Sequence, residues 1–219
     1  MIVMSKHYWD EYLNFNLDIN ELNRILKFHQ SNICLFDIEQ DILNNELKQE
    51  WIRTTISNVI FSDITLKKYN FSELKLHIKN IVEAITDIYN DIEKVLCMPI
   101  LSIYNNNYDI EMGHYTFNLK DRILIKYKDI EKEEISNIEP KDIILSFFIN
   151  IERAVLLYKG IGYFESILQV GFISQSVFHL LKKNGVSVSE IFIPKQTFTH
   201  LVGLNLRKQL CSKIYGIGI

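Results

Sequence analysis

Tyr158-Lys159-Gly160-Ile161-Gly162-Tyr163-Phe164 leads into an uninterrupted run that stops at Asn184-Gly185. Gly160 and Gly162 punctuate its start. No proline follows before residue 194, so the spacing predicts one long helix from Gly162 to Asn184. Asn184-Gly185 is a C-terminal cap pair, because glycine adopts the left-handed conformation that ends a helix. Gly171 falls mid-helix, where glycine costs roughly 1 kcal/mol relative to alanine. The expectation is that another backbone approaches there.

Working outward, Asp142 to Ile149 is a continuous apolar run, the pattern of a central strand buried on both faces. Glu111 to Leu119 and Arg122 to Lys128 alternate, predicting a hairpin closed around Asn118 to Asp121. Pro99 to Tyr104, Val186 to Ile193 and Lys213 to Ile217 read as strands, and Gln196 to Leu210 as a short helix. Asn70-Phe71-Ser72-Glu73 has the form of a capping box, with an Ile-rich helix running from it to about Leu96. Helical spacing recurs over Asp18 to His29 and Glu39 to Ile56, with a short apolar run at Ile33 to Ile38. The sum is α+β: a central, mostly antiparallel sheet flanked by helices, with a helix-rich N-terminal part. The expected division is a helical arm over 1–60 and a sheet domain over 61–219.

Composition narrows the function classes. The chain has 219 residues, Lys+Arg 24 against Asp+Glu 27, and a net charge of −3, which does not suggest a nucleic-acid partner. Cys34, Cys97 and Cys211 lie far apart, and the six histidines form no ligand-spaced pair, so no metal site is expected. No apolar run reaches the roughly 20 residues of a membrane span, and the N-terminus lacks the apolar core of a signal peptide. A soluble, cytoplasmic protein is the expectation. All eight glycines lie at Gly113 or later, so the first half lacks material for a tight cofactor-cradling loop.

Three blocks together resemble the nitroreductase-like flavoproteins, in particular the azoline dehydrogenases of thiazole/oxazole-modified peptide pathways. Leu157 to Phe164 falls on a Lys-Tyr-Gly-x-Arg-Gly-Tyr-Arg pattern, Gln169 to Ser176 on Glu-x-Gly-His-x-x-Gln-Asn, and Gly185-Val186 on a following Gly-Leu. Gly113-His114-Tyr115-Thr116-Phe117-Asn118 resembles the family's Gly-x-Tyr-x-Tyr-Asn hairpin, and Ile214 to Gly218 its closing strand. The resemblance spans Pro99 to Ile219. It keeps Tyr158, Gly162, Tyr163, Gly171, Gln175 and Gly185. The family's lysine is replaced by Leu157, its two arginines by Ile161 and Phe164, its glutamate by Gln169, its histidine by Phe172 and its asparagine by Ser176.

The resemblance implies an FMN cofactor, with Tyr158 as proton acceptor; the family's neighbouring cation is replaced by Leu157, and Lys159 is the substitute if the turn at Gly160 folds it back. Cofactor contacts would come from Arg53, Ser57, Gly162 and Gln175. Residues 92–98, where the family has a Pro-Ser-x-Gly loop whose backbone N–H groups meet the flavin edge, contain neither glycine nor serine. These losses predict weak or absent FMN binding. The implied role is a subunit of a peptide-maturation dehydrogenase, degenerate in its own flavin site, that completes or scaffolds a partner's site. It would act as a homodimer, or as a heterodimer with a flavoprotein paralogue, within a precursor-peptide modification complex. The alternatives are an active FMN-dependent azoline dehydrogenase and a non-catalytic peptide- or protein-binding module.

Overall fold

In the computed structural model, residues 20, 23, 67–92, 95–105, 108, 110–130, 142–158, 161–206 and 208–218 are described. The chain divides into two compact units, Met1–Asp41 and Ile42–Ile219. The helices expected over 18–29 and 39–56 and the strand expected over 33–38 lie outside the described residues, apart from Asn20 and Asn23, both helical.

The elements run β1 (Lys67–Asn70), a 3-10 turn (Phe71–Glu73), α1 (Leu76–Asn90), β2 (Cys97–Ile103), β3 (Gly113–Asn118) and β4 (Ile123–Lys128). There follow β5 (Ile143–Asn150), α2 (Ile151–Tyr158), α3 (Ile161–Lys183), β6 (Ser187–Glu190), α4 (Lys195–Leu201) and β7 (Gln209–Gly218). The strands form one seven-stranded sheet of order β1-β4-β3-β2-β5-β7-β6. Every pairing is antiparallel.

β5 is an interior strand, beside the central β2 and flanked on its other side by β7, with all its residues buried, as its unbroken apolar run requires. The β3–β4 hairpin closes where expected: the Asp121 N–H donates to Asn118 Oδ1 at 3.0 Å, and Arg122 takes a φ of 54° to complete the turn. On one sheet face Phe147 meets Tyr215 edge-on, and Tyr215 meets Phe178 of α3 with ring centres 5.3 Å apart. On the opposite face Phe148 stacks on Phe198 of α4, and the Tyr127 hydroxyl donates to the Val202 carbonyl at 3.0 Å. The sheet is thus covered on both faces. This explains why its strands read as apolar runs as often as alternations.

α1 buries Ile78, Ile81, Val82, Ile85 and Tyr89 at the three- and four-residue spacing of one helical face. Its ends correct the sequence reading. It begins at Leu76 behind Lys75, with no side-chain cap, and ends at Asn90 rather than near Leu96. The Asn70 amide donates only to the Glu73 carboxylate, at 3.2 Å, across a single 3-10 turn. The residues expected to cap α1 therefore close the end of β1 instead.

Both long-range helix stops are Schellman motifs. At the end of α3, Val186 N–H donates to Leu181 O and Gly185 N–H to Lys182 O, with Gly185 at φ 77°. At the end of α4, Leu204 N–H donates to Thr199 O and Gly203 N–H to His200 O, with Gly203 at φ 74°. That second stop ends α4 at Leu201. The expected helix over 196–210 gives way to β7 from Gln209, and the strand expected over 186–193 shortens to Ser187–Glu190.

The tight glycine is Gly162, not Gly171. A Cβ on Gly162 would lie 1.8 Å from the Ala154 carbonyl oxygen, because α3 doubles back against the last turns of α2. A Cβ on Gly171 would meet nothing within 4 Å. Gly171 is exposed, and the close approach expected there is absent from the described residues.

Candidate functional site

The doubling back of α3 along α2 leaves a cleft at the head of β2. It measures about 470 Å³ and is lined by Ile92, Leu96, Tyr158, Glu165, Leu168, Gln169 and Phe172. That volume lies in the range of small-molecule sites, about 300–1,000 Å³. Three segments converge on it: the approach to β2, the last residue of α2 and the outward side of the first half of α3. Glu165, Leu168, Gln169 and Phe172 share a helical side because they are spaced by three and four.

Gln169 ties these segments together. Its side-chain oxygen accepts from the Leu96 N–H at 2.6 Å and from the Cys97 N–H at 3.2 Å, pinning the start of β2 to the middle of α3. Behind it the Tyr89 hydroxyl donates to the Cys97 carbonyl at 3.0 Å. The Cys97 thiol is buried and free, and burial pushes its pKa up to about 12, so it stays protonated. Replacing Gln169 by alanine strands two buried N–H groups and is expected to cost about 1–3 kcal/mol. Gln169→Glu keeps both acceptor contacts and should cost less. Urea unfolding, with hydrogen exchange at the amides of residues 96 and 97, checks the difference.

Of the residues singled out in the sequence, Tyr158 lines the cleft. Gly162 is buried at the second position of α3, where its lack of a side chain admits the Ala154 carbonyl. Gln175 is exposed one turn beyond Phe172, its amide 2.9 Å from His179 Nε2. Lys159, Arg53 and Ser57 lie outside the described residues. Glu165 escaped the sequence reading. The signal for it was positional: it sits four residues before Gln169 on the helical side that also carries Leu168 and Phe172.

The fit to FMN can be tested on this lining. A flavin phosphate carries nearly two negative charges and is held best by guanidinium or ammonium groups. Among the described lining residues the one charged group is the Glu165 carboxylate. The N–H groups of Leu96 and Cys97 beside the cleft are already bonded to Gln169. The apolar walls suit a flat ring, but the described residues do not fit the cofactor's charged end. A second cavity of about 430 Å³, between α1 and the β3–β4 turn, sets Lys79 and Arg122 among Glu83 and Asp121, a balanced charge set. Among the described residues no three metal-ligating side chains converge, and no helix is long and apolar enough to cross a membrane.

No family model matches the sequence, and no curated protein matches it. Solved structures do. The chain is similar to a protein described as a nitroreductase from Anabaena variabilis, with TM-score 0.51 and 14% identity over 64% of this chain and 33% of that one. It thus spans about a third of that protein's length. It is similar to a chain of the E. coli microcin synthetase McbBCD complex with truncated pro-MccB17 bound, with TM-score 0.55 and 11% identity over 75% of this chain and 72% of that one. It is also similar to a protein described as a nitroreductase from Ralstonia eutropha, with TM-score 0.50 and 11% identity over 78% and 81%. At these identities the likeness is one of fold, and the fold of this chain is nitroreductase-like α+β.

Proposed function

We propose that this chain is a cytoplasmic, nitroreductase-fold subunit of a thiazole/oxazole peptide-maturation complex, degenerate in its own flavin site, which completes or scaffolds the site of a partner. The observation that carries this reading is the chemistry of the cleft: a carboxylate as the one charged group among its described lining residues, and the backbone donors of Leu96 and Cys97 bonded to Gln169. A chain of the same fold belongs to a complex with a truncated pro-peptide bound, which supports the peptide-modification setting.

Calorimetric titration of FMN into the full chain tests the reading. The expected Kd is weaker than about 1 μM, with a colourless purified protein. Co-expression with a nitroreductase-fold flavoprotein should give a yellow complex that contains both chains.

A second reading, an active FMN-dependent azoline dehydrogenase, draws on the presence of Tyr158 in the cleft. Tyr158 would accept the proton and Lys159 would supply the cation, while Arg53, Ser57, Gly162 and Gln175 would hold the cofactor. Sub-micromolar FMN affinity of the chain alone, with azoline oxidation lost in Tyr158→Phe at unchanged flavin content, would establish it in place of the first.

A further inference from the structure

The cavity between α1 and the β3–β4 turn shares no described lining residue with the cleft. Its volume of about 430 Å³ also lies in the range of small-molecule sites. Three segments wall it: the 3-10 turn after β1, the first half of α1 and the β3–β4 turn. Phe71 and Val82, both buried, form an apolar floor. Arg122 is the unusual residue of the set. Its φ of 54° is a left-handed conformation that suits glycine or asparagine and that an L side chain adopts at a cost. No other described residue except glycine has a positive φ. Only five of the 24 lysines and arginines in the chain are arginines, and one of them stands here. Its carbonyl accepts from the Phe71 N–H at 3.0 Å, which ties the turn to the cavity wall. Its guanidinium makes no ion pair or hydrogen bond among the described residues.

The other charges around the cavity are loosely held. Lys79 Nζ stands 3.9 Å from Glu83 Oε1, at the limit of an ion pair, and the lysine precedes the glutamate, the weaker order for such a helical pair. Exposed pairs of this kind contribute little. Asp121 accepts from the Asn118 amide at 2.8 Å through Oδ2, and a carboxylate has acceptor capacity for more. The described lining thus sets two cations and two carboxylates about an apolar floor. A lone anion would meet Glu83 and Asp121, and a lone cation would meet Arg122 and Lys79. A molecule that carries both charges a few bonds apart satisfies both sets.

We propose that this cavity binds a free α-amino acid with an apolar side chain. The ligand carboxylate pairs with the Arg122 guanidinium, whose planar fork matches two oxygens, and Lys79 adds a second cation nearby. The ligand ammonium sits with Glu83 and Asp121. Its apolar side chain lies on Phe71 and Val82, away from water. The assignment does not rest on the subunit reading of the cleft.

Calorimetric titration of leucine into the full chain tests it, beside isocaproate, which lacks the ammonium, and isoamylamine, which lacks the carboxylate. Leucine should bind with a Kd of about 1 mM or tighter, and each half-ligand at least ten-fold more weakly. Arg122→Gly removes the guanidinium and suits the left-handed backbone. It should hold or raise the melting temperature while weakening leucine binding at least ten-fold. Glu83→Gln, at an exposed position of α1, should weaken leucine binding to a similar degree with circular dichroism unchanged. Absence of saturable leucine binding overturns the assignment. So does isocaproate binding as tightly as leucine, which would mark a plain anion site. A leucine Kd that Arg122→Gly or Glu83→Gln leaves unmoved would likewise place the ligand elsewhere.

Discussion

Adding a single methyl group at Gly162 is expected to cost the fold about 3 kcal/mol or more, at or beyond the upper end of the usual overpacking range. The Cβ of Gly162→Ala would lie 1.8 Å from the Ala154 carbonyl oxygen and 2.5 Å from its carbon. Both are backbone atoms of α2, so no flexible side-chain end can swing aside. Relief requires α2 and α3 to separate. Those helices carry Tyr158 and the Glu165–Phe172 wall, so the cleft would change shape as the protein loses stability. For a chain of this size the melting temperature should fall by about 6–12 °C. Gly171→Ala is the control. It lies in the same helix with nothing within 4 Å, and should be neutral or should stabilise by about 0.5–1 kcal/mol. Thermal melts of the two variants side by side decide the matter. Equal melting temperatures would mean that the α2–α3 contact is wrongly placed.

The same two glycines show what the sequence made legible and what it did not. That the segment after Tyr158 is a long helix closed by Asn184-Gly185 follows from periodicity and cap chemistry, and the structure has it so. The hairpin and the interior strand were equally readable, because alternation and unbroken apolarity report burial directly. Which glycine is crowded depends on a neighbour distant in the fold, and local spacing carries no trace of it. β1 leaves no signal in the sequence because its short Lys67–Asn70 segment has mostly exposed residues and no apolar alternation. α2 was lost between two stronger signals, the β5 run and the glycine pair. The stop at Gly203 uses the chemistry recognised at Gly185, but the apolar residues that follow masked it.

The site divides the same way. Tyr158 carries the resemblance, and it lines a cleft. That Gln169 reaches across to Leu96 and Cys97 is a contact over more than seventy residues, invisible to any local pattern. The substitution of glutamine for the family's glutamate was visible in the sequence. Only the fold shows that this glutamine takes up backbone donors.

The second large effect concerns alkaline pH. Burial pushes the thiols of Cys97 and Cys211 from 9.0 up to about 12, in the latter case against the favourable charge of Lys195. The phenols of Tyr89 and Tyr115 are pushed up by burial as well. All are acids whose protonated form the fold holds. Below pH 9 both folded and unfolded chains keep these thiol protons, and stability does not depend on them. Between about pH 9 and 12 the unfolded chain releases them while the folded chain does not. The unfolded state then binds fewer protons, so stability falls as pH rises. Three pH decades correspond to about 4 kcal/mol for each buried thiol, a large share of a typical 5–15 kcal/mol. The exposed pairs Lys67–Glu111 and Lys213–Glu190 weaken in the same direction as their lysines deprotonate, but such pairs contribute little. Urea unfolding at pH 8, 9.5 and 11 should show a falling midpoint, and Cys97→Ala should flatten the slope while lowering stability at pH 8. An unchanged slope in that variant would mean that the Cys97 thiol is not held protonated. Cys97 directly follows Leu96 and shares Gln169 with it, so the floor of the cleft should loosen first. Hydrogen exchange at residues 96 and 97 should therefore accelerate at a lower pH than exchange in the middle of β5.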